Sequence, residues 1–336
     1  MANNSTSTCV FASIYPYTSL FAHWIVTPIQ LVAGLFIHVV CLLAMHKRNK
    51  TEKVYNYQIF VIAVETLEAI AFSLYVTCCQ WCAASARCAR LWAIMWYGIT
   101  LSIPVYNGFV TTRLLLAVSM AADRLFALTH PFKYKQIKTT RHQSVALIMS
   151  IALGFGTSVT AMFASYVSWD EEGGVYVKVL NYDYIASPTG KALSFLRDAL
   201  RAAGLLALIT CNAIIIRSHS KWKKQVSSWT AVKEAKEAQR KAHEKQVIFL
   251  TTSQSLLTSI DITFHLTFYI GMYSLAPEAV NCVMIGLISP LLNASVQISS
   301  ALNLYVMMLI SKQFRGMISQ QLKCCPNGTV SVDSAE

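Results

Sequence analysis

Ala122 to Arg141 reads A-D-R-L-F-A-L-T-H-P-F-K-Y-K-Q-I-K-T-T-R. Asp123-Arg124 closes a long apolar run, and His130-Pro131 leads into Lys133, Lys135, Lys138 and Arg141. An apolar segment that ends in a basic cluster is the signature of a helix leaving the bilayer on its cytoplasmic side. Working outward from this junction, the 336 residues are 55% hydrophobic and only 13% charged. Soluble domains carry about 25% charged residues, so the chain is read as an all-α membrane protein.

Seven apolar stretches are each near or above the ~20 residues needed to cross the hydrocarbon. They run over about 24–45, 57–79, 93–128, 144–167, 195–216, 247–273 and 280–310. Lipid leaves backbone groups no outside partner, so each is expected to be a helix. The domain reading is an extracellular amino terminus at 1–21, a seven-transmembrane domain at 22–311, a membrane-surface helix at 312–325 and a cytoplasmic tail at 326–336. The first apolar run is long enough to span and no basic segment precedes it, so no cleavable signal peptide is expected.

Of the 28 Lys and Arg residues, 21 fall on one set of alternate loops and the carboxyl end. The positive-inside rule places these in the cytoplasm and the amino terminus outside, at the plasma membrane. The sequons at Asn3 and Asn4 are then candidates for glycosylation. The formal charge of +12 is accounted for by this topology, and no nucleic-acid partner is expected. Ser311 to Cys325 is amphipathic and basic, which suits a short eighth helix on the bilayer surface with Cys324 and Cys325 as palmitoylation candidates.

The intramembrane charges are read as functional because each is costly in lipid. At about 100° per residue, Tyr106, Arg113 and Arg124 lie on one line of the third span. Glu68 stands one turn outward of Glu65 on the second span. Arg197 and Arg201, like Asp261 and His265, share a helix face at i, i+4. With Glu68, Tyr106, Asn107, Asn293 and Gln297 these four are expected to line an outer ligand pocket.

The Asp123-Arg124-Leu125 triplet with His130-Pro131 resembles the end of the third span and the second inner loop of rhodopsin-like G-protein-coupled receptors. The resemblance implies a receptor that carries an extracellular signal to a heterotrimeric G protein, with Asp123 holding Arg124 at rest and Glu244 as a second restraint. It sets Glu65, Ser299, Ser300 and Asn303 at a midplane polar cluster that binds sodium in relatives. Arg113 stands where those relatives have a Ser, and is expected to act as a built-in cation paired with Glu65. Tyr106 replaces the Asp of amine receptors, so the expected ligand is a neuropeptide or a chemosensory molecule.

The pattern departs from the family elsewhere. Ile260-Asp261-Ile262-Thr263 stands in place of Cys-Trp-x-Pro, and the fifth and sixth spans lack their prolines. The seventh reads Asn303-Leu304-Tyr305-Val306-Met307. Cys78, Cys79, Cys82 and Cys88 crowd the first outer loop, with Cys9 and Cys282 as further candidates for a bridge whose connectivity stays open. No nucleophile, base or metal-ligand set of an enzyme is present, so neither catalysis nor a cofactor is expected. Two rivals are weighed. A retinal protein needs a Lys between Val280 and Ser311, and none is there. An ion-coupled transporter or channel could use Glu65, Glu68, Arg113 and Asp261 as a relay, but it leaves the Asp123 to Arg141 stretch unexplained.

Overall fold

The computed structural model describes residues 25, 27–29, 32, 35–49, 56–76, 86–136, 139–226 and 234–274. It also describes 288, 291–292, 294–295, 298, 302, 305, 315–316 and 319. Six long helices fall in this set: α1 (Leu35–Asn49), α2 (Asn56–Val76), α3 (Trp92–Thr129), α4 (Thr139–Ser158), α5 (Pro188–Val226) and α6 (Glu234–Ser274). Among the described residues, four helical runs are long and apolar enough to cross a membrane: Tyr57–Tyr75 in α2, Trp92–Thr129 in α3, Arg141–Phe163 covering most of α4 and the turn after it, and Pro188–Ser218 in α5. "Outer" and "inner" below follow the charge-based orientation.

The hub is α3, which packs against α2, α4, α5 and α6. Its core residues Tyr106, Val110, Leu114, Ala117 and Ala121 recur at helical spacing and meet Ala71 and Phe72 of α2, Leu208 and Ile215 of α5 and Ile262 of α6. Lipid removes the hydrophobic drive between helices, so close approach through small residues must supply packing. The α3–α4 contact shows how. Thr112 Oγ1 donates to Gly108 O and lies 3.2 Å from Ser150 O. A Cβ on Gly154 would come within 2.3 Å of that Oγ1. On its other side α4 turns Val145, Ile148, Met149 and Leu153 outward, the face such a helix offers to lipid. Near its outer end α3 contains a π-helical segment, Tyr97–Ser102.

The fourth span is shorter than the hydropathy suggests. A 3-10 turn, Val159–Phe163, ends the helical run, and Val167 belongs to a hairpin of β1 (Ser165–Asp170) and β2 (Val175–Leu180). Among the described residues this outer hairpin is a β element in an otherwise helical set. Its signal was present as the β-branched run V-Y-V-K-V-L after Gly173-Gly174. Gly174 has φ of 57°, which only glycine adopts without strain, and Trp169 packs edge-on against Tyr176 across the ladder at 4.7 Å. The start of α5 lies earlier than the expected 195. Ser187 Oγ accepts from Gly190 N at 3.0 Å and Pro188 opens the helix, a cap and first-turn proline that end the outer loop. At their inner ends α5 and α6 extend well past the apolar runs, taking up most of the Lys/Glu/Ala segment.

Candidate functional site

The first polar centre forms where α2, α3 and α6 meet. Arg113 is fully buried, and its Nη2 donates to Asp261 Oδ2. Its Nε lies 3.2 Å from Glu68 Oε2 and its Nη1 4.0 Å from Glu65 Oε1. Arg113 is therefore centred on Asp261 and Glu68 rather than on Glu65, so two carboxylates expected in the outer pocket meet the arginine expected in the midplane cluster. Helix direction explains the shift. Side chains lean toward the amino end of their own helix. Arg113 on α3 thus leans outward, while Glu68 on the oppositely running α2 leans inward to meet it. Three carboxylates around one guanidinium leave an excess of negative charge that burial penalises.

This centre connects outward through one histidine. His265 Nδ1 lies 3.0 Å from the Asp261 carbonyl oxygen, which can only accept, so Nδ1 carries a proton. Nε2 meets the Tyr106 hydroxyl at 3.1 Å. Neutral imidazole accepts there from Tyr106, whereas imidazolium donates to it. Tyr106 in turn packs against Phe72, with ring centroids 5.3 Å apart. From the seventh-span region, Ser295 Oγ donates to Asp261 Oδ1 at 3.3 Å.

The second centre joins α3, α5 and α6 farther out. Arg201 Nε donates to Thr111 Oγ1 at 3.0 Å. Its Nη2 reaches Asn107 O and Asn107 Oδ1 at 3.2 and 3.1 Å. Tyr269 OH donates to the same Asn107 Oδ1 at 2.9 Å. The Tyr269 ring sits beneath both guanidinium groups, 3.9 Å from Arg197 and 5.5 Å from Arg201. Arg197 is neutralised by Asp198, with contacts of 2.9 and 3.3 Å. Arg201 has no carboxylate partner among the described residues, and its Nη1 is buried without a hydrogen bond.

At the inner end Asp123 Oδ2 accepts from the Tyr134 hydroxyl at 3.0 Å. Tyr134 lies on the short helix Pro131–Gln136, which the His130-Pro131 break creates. Burial first, and then the Asp123 charge, push the Tyr134 phenol up to about 12, so it donates throughout the physiological range. Phe126 lies between the His130 and Tyr134 rings. Glu244 is on α6, with its side chain outside the described residues. Also outside them lie Asn3, Asn4, Asn293, Gln297, Ser299, Ser300, Asn303, Cys324 and Cys325. Of the outer cysteines, Cys88 is a free thiol; Cys9, Cys78, Cys79, Cys82 and Cys282 are outside the described set. Sequence reading missed Thr111, Tyr134, Tyr269 and Ser295. Only Tyr269 carried a signal, one turn beyond His265 on the Asp261 face.

The model of the family described as "Serpentine type 7TM GPCR chemoreceptor Srv" matches residues 91–324. The chain belongs to this family. The Srv match opens at Leu91, immediately before α3, and takes in both polar centres except their α2 carboxylates. Among solved structures, squid rhodopsin superposes with a TM-score of 0.68 at 14% identity, covering 94% of this chain and 89% of that one. That likeness establishes a rhodopsin-like bundle. A search of curated proteins found no match. This Srv chain is thus a multi-pass G-protein-coupled receptor of the chemoreceptor class.

Proposed function

We propose that this receptor takes an extracellular chemosensory ligand between the outer halves of α3, α5 and α6. Binding is relayed inward through Tyr106, His265, Asp261 and Arg113. The observation that carries the reading is the continuous contact chain from the Tyr106 hydroxyl to the buried ion cluster. A ligand that displaces Tyr106 or Tyr269 changes the hydrogen bonds around Asp261 and Arg113. Those side chains bind α6 to α3, so their rearrangement shifts α6 relative to the hub. At the cytoplasmic face Arg124 then meets the heterotrimeric G protein, with Asp123 held by Tyr134 in the resting state.

Finer parts of the reading complete it. The amino terminus is outside, with Asn3 and Asn4 glycosylated. The bundle spans 22–311, and a surface helix at 312–325 is anchored by Cys324 and Cys325. Arg113 acts as a tethered cation in a cluster completed by Ser299, Ser300 and Asn303.

The test is expression with a panel of G proteins and a screen of small odorants and amidated peptides, read as nucleotide exchange. Arg124→Ala is expected to abolish exchange while leaving ligand binding intact. His265→Phe is expected to lower efficacy at unchanged surface density. A ligand response unaffected by Arg124→Ala would overturn the mechanism, and ligand-gated ionic current without any G protein would favour the transporter or channel reading.

A further inference from the structure

A cavity of ≈ 490 Å³ lies between the outer halves of α5 and α6. Its α5 wall runs from Lys191 through Ser194, Phe195, Asp198 and Ala199 to Ala202, and Leu266 and Ile270 of α6 stand opposite. The spacing i, i+3, i+4, i+7, i+8, i+11 is one stripe of α5, about 16 Å long. Ala199 and Ala202 leave the room, since neither has atoms beyond Cβ. The cavity is a crevice on the outside of the bundle: Phe195 is 75% exposed and Ile270 55%, as befits a surface turned to lipid. Its free charge is at one end. Lys191 is exposed and has no carboxylate partner among the described residues. Asp198 lies about 10 Å deeper and is held by Arg197 at 2.9 and 3.3 Å, so the pair adds no net charge. Depth decides what the crevice meets. With the hydrocarbon edge near 195, where the apolar run begins, Lys191 stands about 6 Å above that edge. Headgroups add about 5–7 Å to each side of a ~30 Å core. Lys191 is thus at the phosphate level, and the stripe from Phe195 to Ala202 descends about 10 Å into the outer leaflet.

We propose that this crevice is a binding site for a phospholipid of the outer leaflet, with its phosphate on Lys191 and one acyl chain laid between α5 and α6. The phosphate accepts from the Lys191 ammonium, a point charge suited to it, and Ser194, one turn deeper, stands at the level of the ester groups. The chain covers Phe195, Leu266 and Ile270 and fills the gap beside Ala199 and Ala202, making dispersion contacts that an empty groove forgoes. The site is separate from the Arg201 centre, whose guanidinium is turned onto Asn107 and Thr111 of α3. It holds whatever ligand the receptor detects.

The experiment uses the full-length receptor in maltoside micelles and a phosphatidylcholine with a photoreactive diazirine in one acyl chain, the labelled peptides being mapped by mass spectrometry. Saturable labelling is expected on the segments that hold Ala199, Ala202, Leu266 and Ile270, above non-saturating labelling of the outward face of α4 at Ile148 and Met149. Unlabelled phosphatidylcholine is expected to compete, and diacylglycerol with the same chains to compete at least fivefold less well. Lys191→Gln should raise the half-saturating concentration at least fivefold, and Lys191→Arg should keep it within twofold. Ala202→Phe, which fills the crevice and leaves Lys191 in place, should remove the saturable labelling. Should that variant not fold, Lys191→Gln still decides, because Lys191 is exposed and outside the core. Crevice labelling no more saturable than that of α4 would mean ordinary boundary lipid and overturn the proposal. Equal competition by diacylglycerol, or half-saturation unchanged in Lys191→Gln, would show that no headgroup is recognised and overturn it too. Competition by cholesterol in preference to phosphatidylcholine would assign the crevice to a sterol, and competition by glycerol 3-phosphate to a soluble phosphate; either result overturns it.

Discussion

Removing the Arg113 guanidinium leaves Glu65, Glu68 and Asp261 facing one another in a site closed to solvent. Loss of one partner from a buried ion cluster costs about 3–5 kcal/mol, enough to remove most folded receptor. Arg113→Met is therefore expected to abolish surface expression, and adding Glu68→Gln and Asp261→Asn to restore it, as measured by labelling of intact cells. On the proposal that Arg113 serves as a tethered cation, ligand affinity should not change when sodium replaces another monovalent ion at constant ionic strength. A sodium-specific shift would refute that role. Tyr134→Phe removes a donor to Asp123 and is expected to raise ligand-independent nucleotide exchange severalfold. That Glu65, Glu68, Arg113 and Asp261 stand within apolar runs was legible in the sequence, since a charge within an apolar run is a local fact, and the structure brings their side chains together. Which carboxylate Arg113 selects was not legible, because the answer depends on helix rotation and on side chains from antiparallel helices leaning toward one another.

Two glycines allow the close approach of α3 and α4: Gly108, opposite the Phe155 ring, and Gly154, opposite Thr112. A methyl at Gly154 would overlap Thr112 Oγ1 and the Gly108 carbonyl, whereas one at Gly156 meets nothing within 4 Å. Overpacking of this kind costs about 1–3 kcal/mol. Gly154→Ala is expected to lower the melting temperature of purified receptor by several degrees and Gly156→Ala to leave it unchanged; equal effects would show that the interface can yield. Gly154 and Gly156 lie in the same short G-F-G sequence, and nothing local separates them, so the distinction belongs to tertiary structure. The hairpin and the early start of α5 are different cases. Their signals, a β-branched run and a Ser-Pro cap, were present but outweighed by hydropathy in reading the spans.

The rhodopsin-like helical bundle was readable from hydropathy and from the Asp123 to Arg141 stretch, because bilayer thickness and backbone hydrogen bonding admit few alternatives, whereas the central place of α3 came from the structure. If the charge-based orientation holds, Asn3 and Asn4 face the lumen. Glycosidase treatment is then expected to shift the electrophoretic mobility of the native chain and not of an Asn3→Gln, Asn4→Gln variant. The chain's length also bears on how it switches. From Asp261 to the inner end of α6 at Glu234 is about 40 Å of helix, with no proline in it. Sharp bends in helices almost always need a proline, a Gly/Ser pair or a bulge, so α6 behaves as a stiff rod. Its fulcrum is the ion cluster on Arg113, and a tilt of about 5° there carries the inner end through about 3.5 Å by that length alone. On the proposed relay, activation would be leverage about a salt-bridged pivot: the shorter the outer arm above Asp261, the smaller the ligand displacement that moves the cytoplasmic end.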